Sequence, residues 1–366
     1  MKFTINREAL LGPLQQIVSV IEKRQTMPVL ANVLLFIENE KITMTGTDLE
    51  VQLISKFELP DATSGSITVP ARKFLDICRL LPAGSEIKFE QNDDKVKITS
   101  NRSRFSLNCL PADNYPEFTE GDFEHQFVIN AGQFKRALDK TTFCMANQDV
   151  RYYLNGLLLH ISNSKLELVA SDGHRLALYE DQLEVATGFE ARIILPRKGV
   201  LELNKLITND EIELRVEFSN SSIRIFINEM IFSAKLVDSK YPDFSKVFQQ
   251  SFFNPIQIEK NTLKNSLTRV AVLSNEKFKG VNFDITSESL KISAHNPEHD
   301  EAEEELAIIY GDEELSIAFN AQYLSEAVSN LDGDTALITI ANDSSSCFIN
   351  EPNNEKYKYV VMAMRL

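Results

Sequence analysis

Hydrophobic and polar residues alternate at the start of the chain and then repeat at helical spacing. Phe3-Thr4-Ile5-Asn6 alternates as a half-buried strand does, and apolar residues then recur at Leu10, Leu14, Ile17 and Ile21. The same succession occurs twice more, beginning at residues 127 and 256. The pattern therefore predicts a strand followed by an amphipathic helix at three places in the chain.

A second motif recurs at a constant spacing along the chain. Its copies are Ile42–Asp48, Leu166–Asp172 and Leu290–Asn296, whose first residues (42, 166, 290) are 124 apart both times. Further strand-helix patterns begin at residues 67, 193 and 316. A fixed period of this kind indicates internal repeats. We predict an α+β fold of three similar domains over residues 1–122, 123–244 and 245–366, each a doubled β-α-β-β-β unit with two helices on one side of its sheets.

Charge is distributed unevenly over these repeats. The 38 Lys+Arg and 53 Asp+Glu give a net charge of −15, which taken alone argues against a protein that contacts nucleic-acid phosphates. The first two thirds each carry −3 and the last third −9, whereas the six predicted helices hold 12 cations against 6 anions. These cations either lie on solvated helix faces or line one concave surface that attracts phosphates.

The residues that could carry catalysis do not form an enzyme motif. Ser171, Asp172 and His174 are neighbours in sequence, whereas the members of a catalytic triad normally come from separate loops. The chain has no G-x-x-x-x-G-K-[ST] phosphate loop, and His295 and His299 have only acidic neighbours as companion ligands. We predict no enzymatic activity, no cofactor and no metal site.

The cysteines and the lack of long apolar stretches indicate the cellular compartment of the protein. Cys78, Cys109, Cys144 and Cys347 are scattered, which favours reduced, buried thiols. The N-terminus lacks the apolar core of a signal peptide, and no stretch approaches the roughly 18 apolar residues of a membrane span. We predict a cytoplasmic protein without membrane contact.

Seven sequence blocks, in the correct order along the whole chain, resemble the sliding clamps of bacterial replication, the beta subunits of DNA polymerase III. The blocks are Gly46–Glu50, Val69–Phe74, Gln148–Gly156, Ser171–Leu176, Leu195–Gly199, Leu273–Phe278 and Tyr359–Leu366. The resemblance implies a DNA clamp fold, with two subunits head to tail in a ring, helices lining the hole and sheets outside. It implies a processivity factor that encircles duplex DNA without sequence specificity, loaded by an ATP-dependent clamp loader. The alternative is an interaction scaffold with the same repeat that does not encircle DNA.

The resemblance also assigns two sets of binding residues. Residues expected at the DNA are Arg24, Arg72, Gln148, Tyr152, Tyr153 and Lys198, with burial beside Leu154 as the alternative for the two tyrosines. A hydrophobic cleft is expected to receive short linear motifs from the polymerase III catalytic subunit, the clamp loader, other DNA polymerases and repair proteins. Its residues are Leu154, Ser171, Gly173, His174, Arg175, Leu176, Pro242, Val247, Ser346, Val360, Met362 and Met364. The family commonly has Pro where this chain has Ala363, and frequently Arg where it has Lys246.

The homodimer contact is the third set implied by the resemblance. Apolar contact is expected from Phe105, Leu107, Val272 and Leu273, with ordinary core packing as the alternative for the last two. Ion pairs are expected between a basic set, Lys73, Arg102 and Arg104, and an acidic set, Glu298, Glu301 and Glu304. Opposite charge at opposite ends of one chain suits a head-to-tail interface that closes into a ring.

Overall fold

A computed structural model of the chain describes residues 1–22, 27–249 and 251–365. Within these residues the backbone forms six α-helices, two in each predicted repeat. They are α1 (Arg7–Val20), α2 (Ala71–Leu80), α3 (Ala131–Thr141), α4 (Arg197–Leu206), α5 (Lys260–Ala271) and α6 (Ala321–Ser329). No helix in the described ranges is long and apolar enough to cross a membrane.

Each repeat contributes eight strands. In the first they are β1 (Lys2–Asn6), β2 (Asn32–Glu38), β3 (Lys41–Thr47), β4 (Val51–Glu58), β5 (Gly65–Pro70), β6 (Glu86–Asn92), β7 (Lys95–Ser100) and β8 (Ser103–Asn108). In the second they are β9 (His125–Asn130), β10 (Gly156–Ser162), β11 (Lys165–Ser171), β12 (Arg175–Gln182), β13 (Glu190–Pro196), β14 (Glu213–Phe218), β15 (Ser222–Ile227) and β16 (Met230–Lys235). In the third they are β17 (Ile256–Glu259), β18 (Gly280–Ile285), β19 (Ser289–His295), β20 (Glu301–Ala307), β21 (Leu315–Asn320), β22 (Thr335–Ile340), β23 (Ser346–Glu351) and β24 (Asn354–Met362).

The order of elements confirms the predicted doubled β-α-β-β-β unit. In every repeat one helix follows the first strand and the second helix follows the fifth. Polar residues at the strand ends start the first helix of each repeat: the side chains of Asn6, Asn130 and Glu259 accept hydrogen bonds from backbone N–H groups of the first turn. Such N-caps satisfy donors that the helix itself leaves unpaired, which is why each helix begins there.

The chain divides into two compact units. The first comprises Met1–Lys135 and Lys198–Asp238, and the second Arg136–Arg197 and Ser239–Leu366. The first unit holds a four-stranded sheet of order β1-β6-β7-β8 and an eight-stranded sheet of order β5-β2-β3-β4-β16-β15-β14-β9. The second holds an eight-stranded sheet of order β13-β10-β11-β12-β24-β23-β22-β17 and a four-stranded sheet of order β20-β19-β18-β21. Both eight-stranded sheets are therefore built from strands of two successive repeats.

The junction inside each eight-stranded sheet is an antiparallel pair with the same register. In the first unit β16 pairs with β4, with Phe232 opposite Leu53. In the second unit β24 pairs with β12, with Tyr359 opposite Ala177. By position in the repeat, β8 is the counterpart of β16 and β24, and β20 is the counterpart of β4 and β12. In the four-stranded sheets β8 and β20 instead lie at the edge.

Candidate functional site

A tight turn between β11 and β12 forms the centre of the candidate peptide cleft in the second unit. The Asp172 carboxylate accepts hydrogen bonds from the backbone N–H groups of His174, at 2.9 Å, and Arg175, at 3.0 Å. The Ser171 hydroxyl donates to the Arg175 carbonyl at 2.7 Å. Gly173 has a φ of +86°, and a Cβ there would lie 2.7 Å from the Arg151 guanidinium. A residue with a Cβ would be strained at this φ and would displace the Arg151 side chain, so glycine suits this position.

Arg175 fixes this turn against the rest of the second unit. Its guanidinium donates to Asp172 at 3.0 Å, to the Phe143 carbonyl at 2.7 Å and to the Glu326 carboxylate. The same group lies 4.4 Å from the centroid of the Tyr323 ring. Hydrogen bonds from a partly buried cation to carboxylates are the strong ones in proteins. These contacts therefore hold the turn Ser171–Leu176 in place.

Strand β24 supplies the apolar face next to the turn. Leu176 lies opposite Val360, and the Met362 N–H donates to the His174 carbonyl at 2.8 Å. Ser346 of β23 lies opposite Met362 on the other side. Val360 is 1% exposed, whereas Met362 is 40% exposed. Because Val360 and Met362 share one side of the strand, they form an apolar surface that rises from the core to solvent.

The remaining cleft residues come from separate segments of the same unit. Leu154 is buried at the end of a short 3-10 helix, Tyr152–Leu154, and Val247 is half-buried in another, Ser245–Gln249. Pro242 is exposed and follows the buried Tyr241, whose ring packs edge-on to Tyr153 at 6.2 Å.

Met364 connects the cleft to a cavity that sequence reasoning did not assign. Its N–H donates to the Ala318 carbonyl at 2.7 Å, and its side chain lines a cavity of about 380 Å³. Phe278, 52% exposed, and Arg365 line the same cavity. Phe278 lies in the Leu273–Phe278 block that carries the family resemblance, so the signal for it was present in the sequence.

The residues expected at DNA lie in different surroundings. Tyr152 is 75% exposed, which excludes burial as its environment, while Tyr153 is half-buried. Gln148 is exposed with a φ of +59°. Arg72 is exposed and donates one hydrogen bond to the Ile21 carbonyl at 2.8 Å. Arg24 falls outside the described residues.

Lys198 is held by acidic neighbours within the first unit. Its ammonium donates to Glu22 at 2.6 Å and to Asp48. Burial lowers the pKa of Lys198, but the hydrogen bonds to Asp48 and Glu22 outweigh it and raise that pKa. The charge of Lys198 is thus already compensated, so a phosphate has to compete with two carboxylates for this side chain.

The loop between Gln148 and Tyr152 is stiffened by an ion pair. The Arg151 guanidinium donates two hydrogen bonds to Asp149 at 2.9 Å, which lowers the pKa of Asp149 to about 2. The Asn155 side chain accepts from the Asp149 N–H at 2.8 Å and donates to the Asp149 carbonyl at 2.7 Å. Gln148 and Tyr152 therefore lie on a loop whose conformation is fixed by internal hydrogen bonds.

The basic and apolar residues expected at the homodimer contact in the first repeat lie on β8, next to it and on α2. Arg102 immediately precedes β8 and is exposed; on β8 itself Arg104 is exposed, and Phe105 and Leu107 are half-buried. Lys73, on α2, is also exposed.

At the other end of the chain the interface residues have two kinds of environment. Val272 is 76% exposed, so ordinary core packing is wrong for it, and Leu273 is half-buried. Glu298 and Glu301 are exposed. Glu304 instead bonds Arg269 of α5 in the same chain, which lowers the pKa of Glu304 to about 2. Glu304 therefore forms its ion pair within the chain, in place of the expected pair with the basic set of a second copy.

The side chains that suggested hydrolysis are used structurally. Ser171 bonds the Arg175 carbonyl and Asp172 bonds backbone N–H groups, so neither is directed at His174 as a triad requires. In residues 1–22, 27–249 and 251–365 no group of three or more His, Cys, Asp or Glu side chains is arranged to hold a metal ion.

Comparison with known proteins gives matches along the whole chain. Three family models, described as the N-terminal, central and C-terminal domains of the DNA polymerase III beta subunit, match residues 1–119, 128–243 and 245–365. The chain is 41% identical to the beta sliding clamp of Pseudomonas aeruginosa and 39% identical to that of Escherichia coli strain K12, with 100% of each chain covered.

Solved structures agree with these matches. A DNA polymerase sliding clamp from Pseudomonas aeruginosa, crystallised with ligand, superposes with a TM-score of 0.97 at 41% identity, covering 100% of both chains. A sliding clamp from the same organism bound to griselimycin superposes with a TM-score of 0.96 at 41% identity, again over 100% of both chains.

Proposed function

The chain belongs to the DNA polymerase III beta subunit family, and from this premise we propose that it is a DNA sliding clamp that keeps the replicative polymerase on its template. It encircles duplex DNA without reading sequence, and it catalyses no reaction itself. It acts in the cytoplasm as three clamp domains over residues 1–122, 123–244 and 245–366, a division supported by the ranges of the three family models.

The observation that carries ring formation is the pair of open sheet edges. β8 and β20 lie at edges, although their counterparts are paired inside both eight-stranded sheets. Unpaired backbone groups on an edge strand are a template for another strand. If β8 of one copy pairs with β20 of a second, and the reverse, two further eight-stranded sheets form and every junction in the closed dimer has the same construction.

The internal junctions also predict the register of this contact. Phe105 is the counterpart of Phe232 and Tyr359, and Ala302 is the counterpart of their partners Leu53 and Ala177. We therefore expect Phe105 of one copy opposite Ala302 of the next.

The same register sets the ion pairs of the interface. Arg104 then lies opposite Glu303 and diagonal to Glu301, on the exposed face where opposite charges stabilise cross-strand pairs. Glu304 falls on the other face, with its internal partner Arg269. Glu303 thus joins the acidic set that the sequence assigned to the interface.

DNA contact is proposed for the six residues that the family resemblance assigned to it. Arg24, Arg72, Gln148, Tyr152, Tyr153 and Lys198 are the candidates. Arginine and glutamine bond phosphate oxygens and an exposed tyrosine stacks on an unpaired base, neither of which reads duplex sequence. Tyr152 is the strongest of these because 75% of it is exposed.

Partner recruitment is proposed for the apolar cleft around Leu176, Val360 and Met362. Apolar walls with a few polar anchors are what a peptide pocket needs, and methionine adapts to varied ligands. The griselimycin-bound clamp from Pseudomonas aeruginosa supports a ligand site in the family. The proposed ligands are short motifs of the polymerase III catalytic subunit, the clamp loader, other polymerases and repair proteins.

Retention on circular DNA tests the topological function. The protein is loaded by its matched loader onto nicked circular DNA, which is then cut once by a restriction enzyme. A clamp stays on the circle and is lost on cutting, because it slides off the free ends. Equal retention on cut and uncut DNA would favour the scaffold alternative, in which the repeat does not enclose the duplex.

Deletion of residues 363–366 tests the cleft separately. Val360 and Val361 are each 1% exposed within β24, so a longer deletion would remove core residues as well. The short deletion should weaken binding of a partner peptide while the dimer persists in sedimentation velocity. Unchanged peptide affinity would refute this assignment of the cleft.

A further inference from the structure

The first unit contains a pocket of about 340 Å³ whose lining includes none of the residues assigned above. Ala9 and Pro13 of α1, Phe57 of β4, Ile212 and Met230 form apolar walls. Gln16, Ser55 and Thr208 line it as well, and the exposed Glu229 is the charged residue of its lining. Its size and mostly apolar lining are those of small ligand sites.

The internal repeat shows what occupies the corresponding place in the second unit. Residues of the first repeat correspond to residues 124 further on, so Ser55 corresponds to Tyr179 and Gln16 to Lys140. Strand pairing sets the third correspondence, because Met230 lies opposite Ser55 and Tyr357 lies opposite Tyr179. Where the first unit has serine, glutamine and methionine, the second therefore has two tyrosines and a lysine.

In the second unit these larger side chains close the space completely. Tyr179 and Tyr357 are both 0% exposed. The Tyr357 hydroxyl accepts a hydrogen bond from the Asp332 N–H at 2.9 Å. The Lys140 ammonium lies 4.4 Å from the centroid of the Tyr357 ring and donates to Asp332 at 2.6 Å. A phenol ring with a cation beside it is thus the natural content of this position.

We propose that the pocket of the first unit binds the tyrosine side chain of a partner protein segment that carries a lysine or arginine next to that tyrosine. The walls match the faces of the ring, and the Met230 thioether adds a favourable sulfur–aromatic contact. Thr208 occupies the position of Asp332 and offers the phenol hydroxyl a backbone and a side-chain partner. Glu229 at the rim complements the basic neighbour, as Asp332 complements Lys140 in the second unit.

Methyl-labelled methionine provides a direct test. The chain has seven methionines, of which Met230 lines this pocket, whereas Met362 and Met364 belong to the peptide cleft. On titration of the full-length protein with N-acetyl-lysyl-tyrosine amide, the Met230 methyl resonance should shift and saturate, with the Met362 and Met364 resonances unmoved. A Met230 resonance that stays in place, or a shift confined to Met362 and Met364, would overturn the proposal.

A filled-pocket variant gives the second measurement. Gln16→Lys with Met230→Tyr introduces the counterparts of Lys140 and Tyr357 and should reduce saturation transfer to the peptide's tyrosine ring at least fivefold. Met27→Tyr, at an exposed methionine outside the pocket, should not. Undiminished transfer in the folded double variant would refute the site. If the double variant does not fold, the wild-type Met230 shift decides alone. Equal affinity for 4-methylphenol and for the dipeptide would overturn the part assigned to the basic neighbour. DNA retention is unaffected by any of these results, so the clamp function is tested independently.

Discussion

Truncation of the exposed apolar pair at the end of α5 should convert the proposed dimer into monomers. Val272→Ala together with Leu273→Ala removes five carbon atoms beside the edge strand β20. Burial of one methylene contributes about 0.8 kcal/mol. Val272 is 76% exposed in the single chain, so its two lost carbons remove about 1.2 kcal/mol of newly buried surface. The half-buried Leu273 adds about 0.5 kcal/mol.

The closed form multiplies this loss. A head-to-tail ring of two copies contains two such contacts, so the double variant should lose about 3–4 kcal/mol of association free energy. A change of 1.4 kcal/mol is tenfold in an equilibrium constant, and the dimer dissociation constant should rise roughly 10²- to 10³-fold. Sedimentation velocity over a dilution series measures this constant directly.

A matched control separates interface from surface. Val185→Ala removes the same two carbons from a valine that is 74% exposed and distant in sequence from both edge strands, and it should leave the dissociation constant unchanged. Urea unfolding of each variant checks that Leu273→Ala has not destabilised the domain itself. A double variant that remains folded and dimeric at the wild-type concentration range would refute the reasoning.

Three further outcomes follow from the described contacts. Gly173→Ala places a Cβ 2.7 Å from Arg151 on a residue with a φ of +86°, so it should weaken peptide binding about tenfold in fluorescence polarisation. Gly188→Ala is the control. It has a φ of +75° but open space around it, and this variant should bind the peptide normally. Lys140→Met leaves Asp332 without its buried partner, so it should lower the free energy of unfolding in urea by about 1.5–3 kcal/mol. Gln16→Met, at the equivalent position of the first repeat, should change the free energy of unfolding by under about 0.5 kcal/mol. The Arg269 bond lowers the pKa of Glu304 from 4.5 to about 2, so its stabilisation is fully present above pH 4.5 and is lost as the pH falls from there through 2. Glu304→Gln should be less stable than the wild type at pH 7, and this difference should shrink steadily as the pH falls from 4.5 towards 2. A difference in unfolding free energy that stays constant over this range would contradict the assignment.

Local structure was largely accessible from sequence because periodicity and caps are local. The strand-helix patterns that begin at residues 67 and 193 appear as β5 followed by α2 and as β13 followed by α4. The first copy of the recurring motif, Ile42–Asp48, coincides with β3 (Lys41–Thr47). Repetition of these short patterns was enough to predict the α+β unit.

Side-chain pairing was not accessible, because it depends on partners far apart in the chain. Lys198 is one of the cations counted on the predicted helices, but its ammonium donates to Asp48, which is 150 residues away in sequence. Arg269 likewise bonds Glu304 on another element. The positive charge available to DNA is therefore smaller than the sequence count indicates. The sequence likewise did not predict that each eight-stranded sheet continues through two repeats, because no local pattern indicates which strands pair.

The residues of the two open edge strands also exclude wrong assemblies. Were two β20 strands to pair antiparallel about Glu303, the glutamates at 301, 303 and 305 of both copies would face each other, and two β8 strands centred on Arg104 would place its two copies opposite one another. Like charges directly opposite one another destabilise strand pairs, so homotypic association is penalised at both ends. Each newly synthesised chain has two unpaired edge strands that could aggregate. The repulsion between like charges leaves pairing of β8 with β20, the head-to-tail contact that can close into a ring.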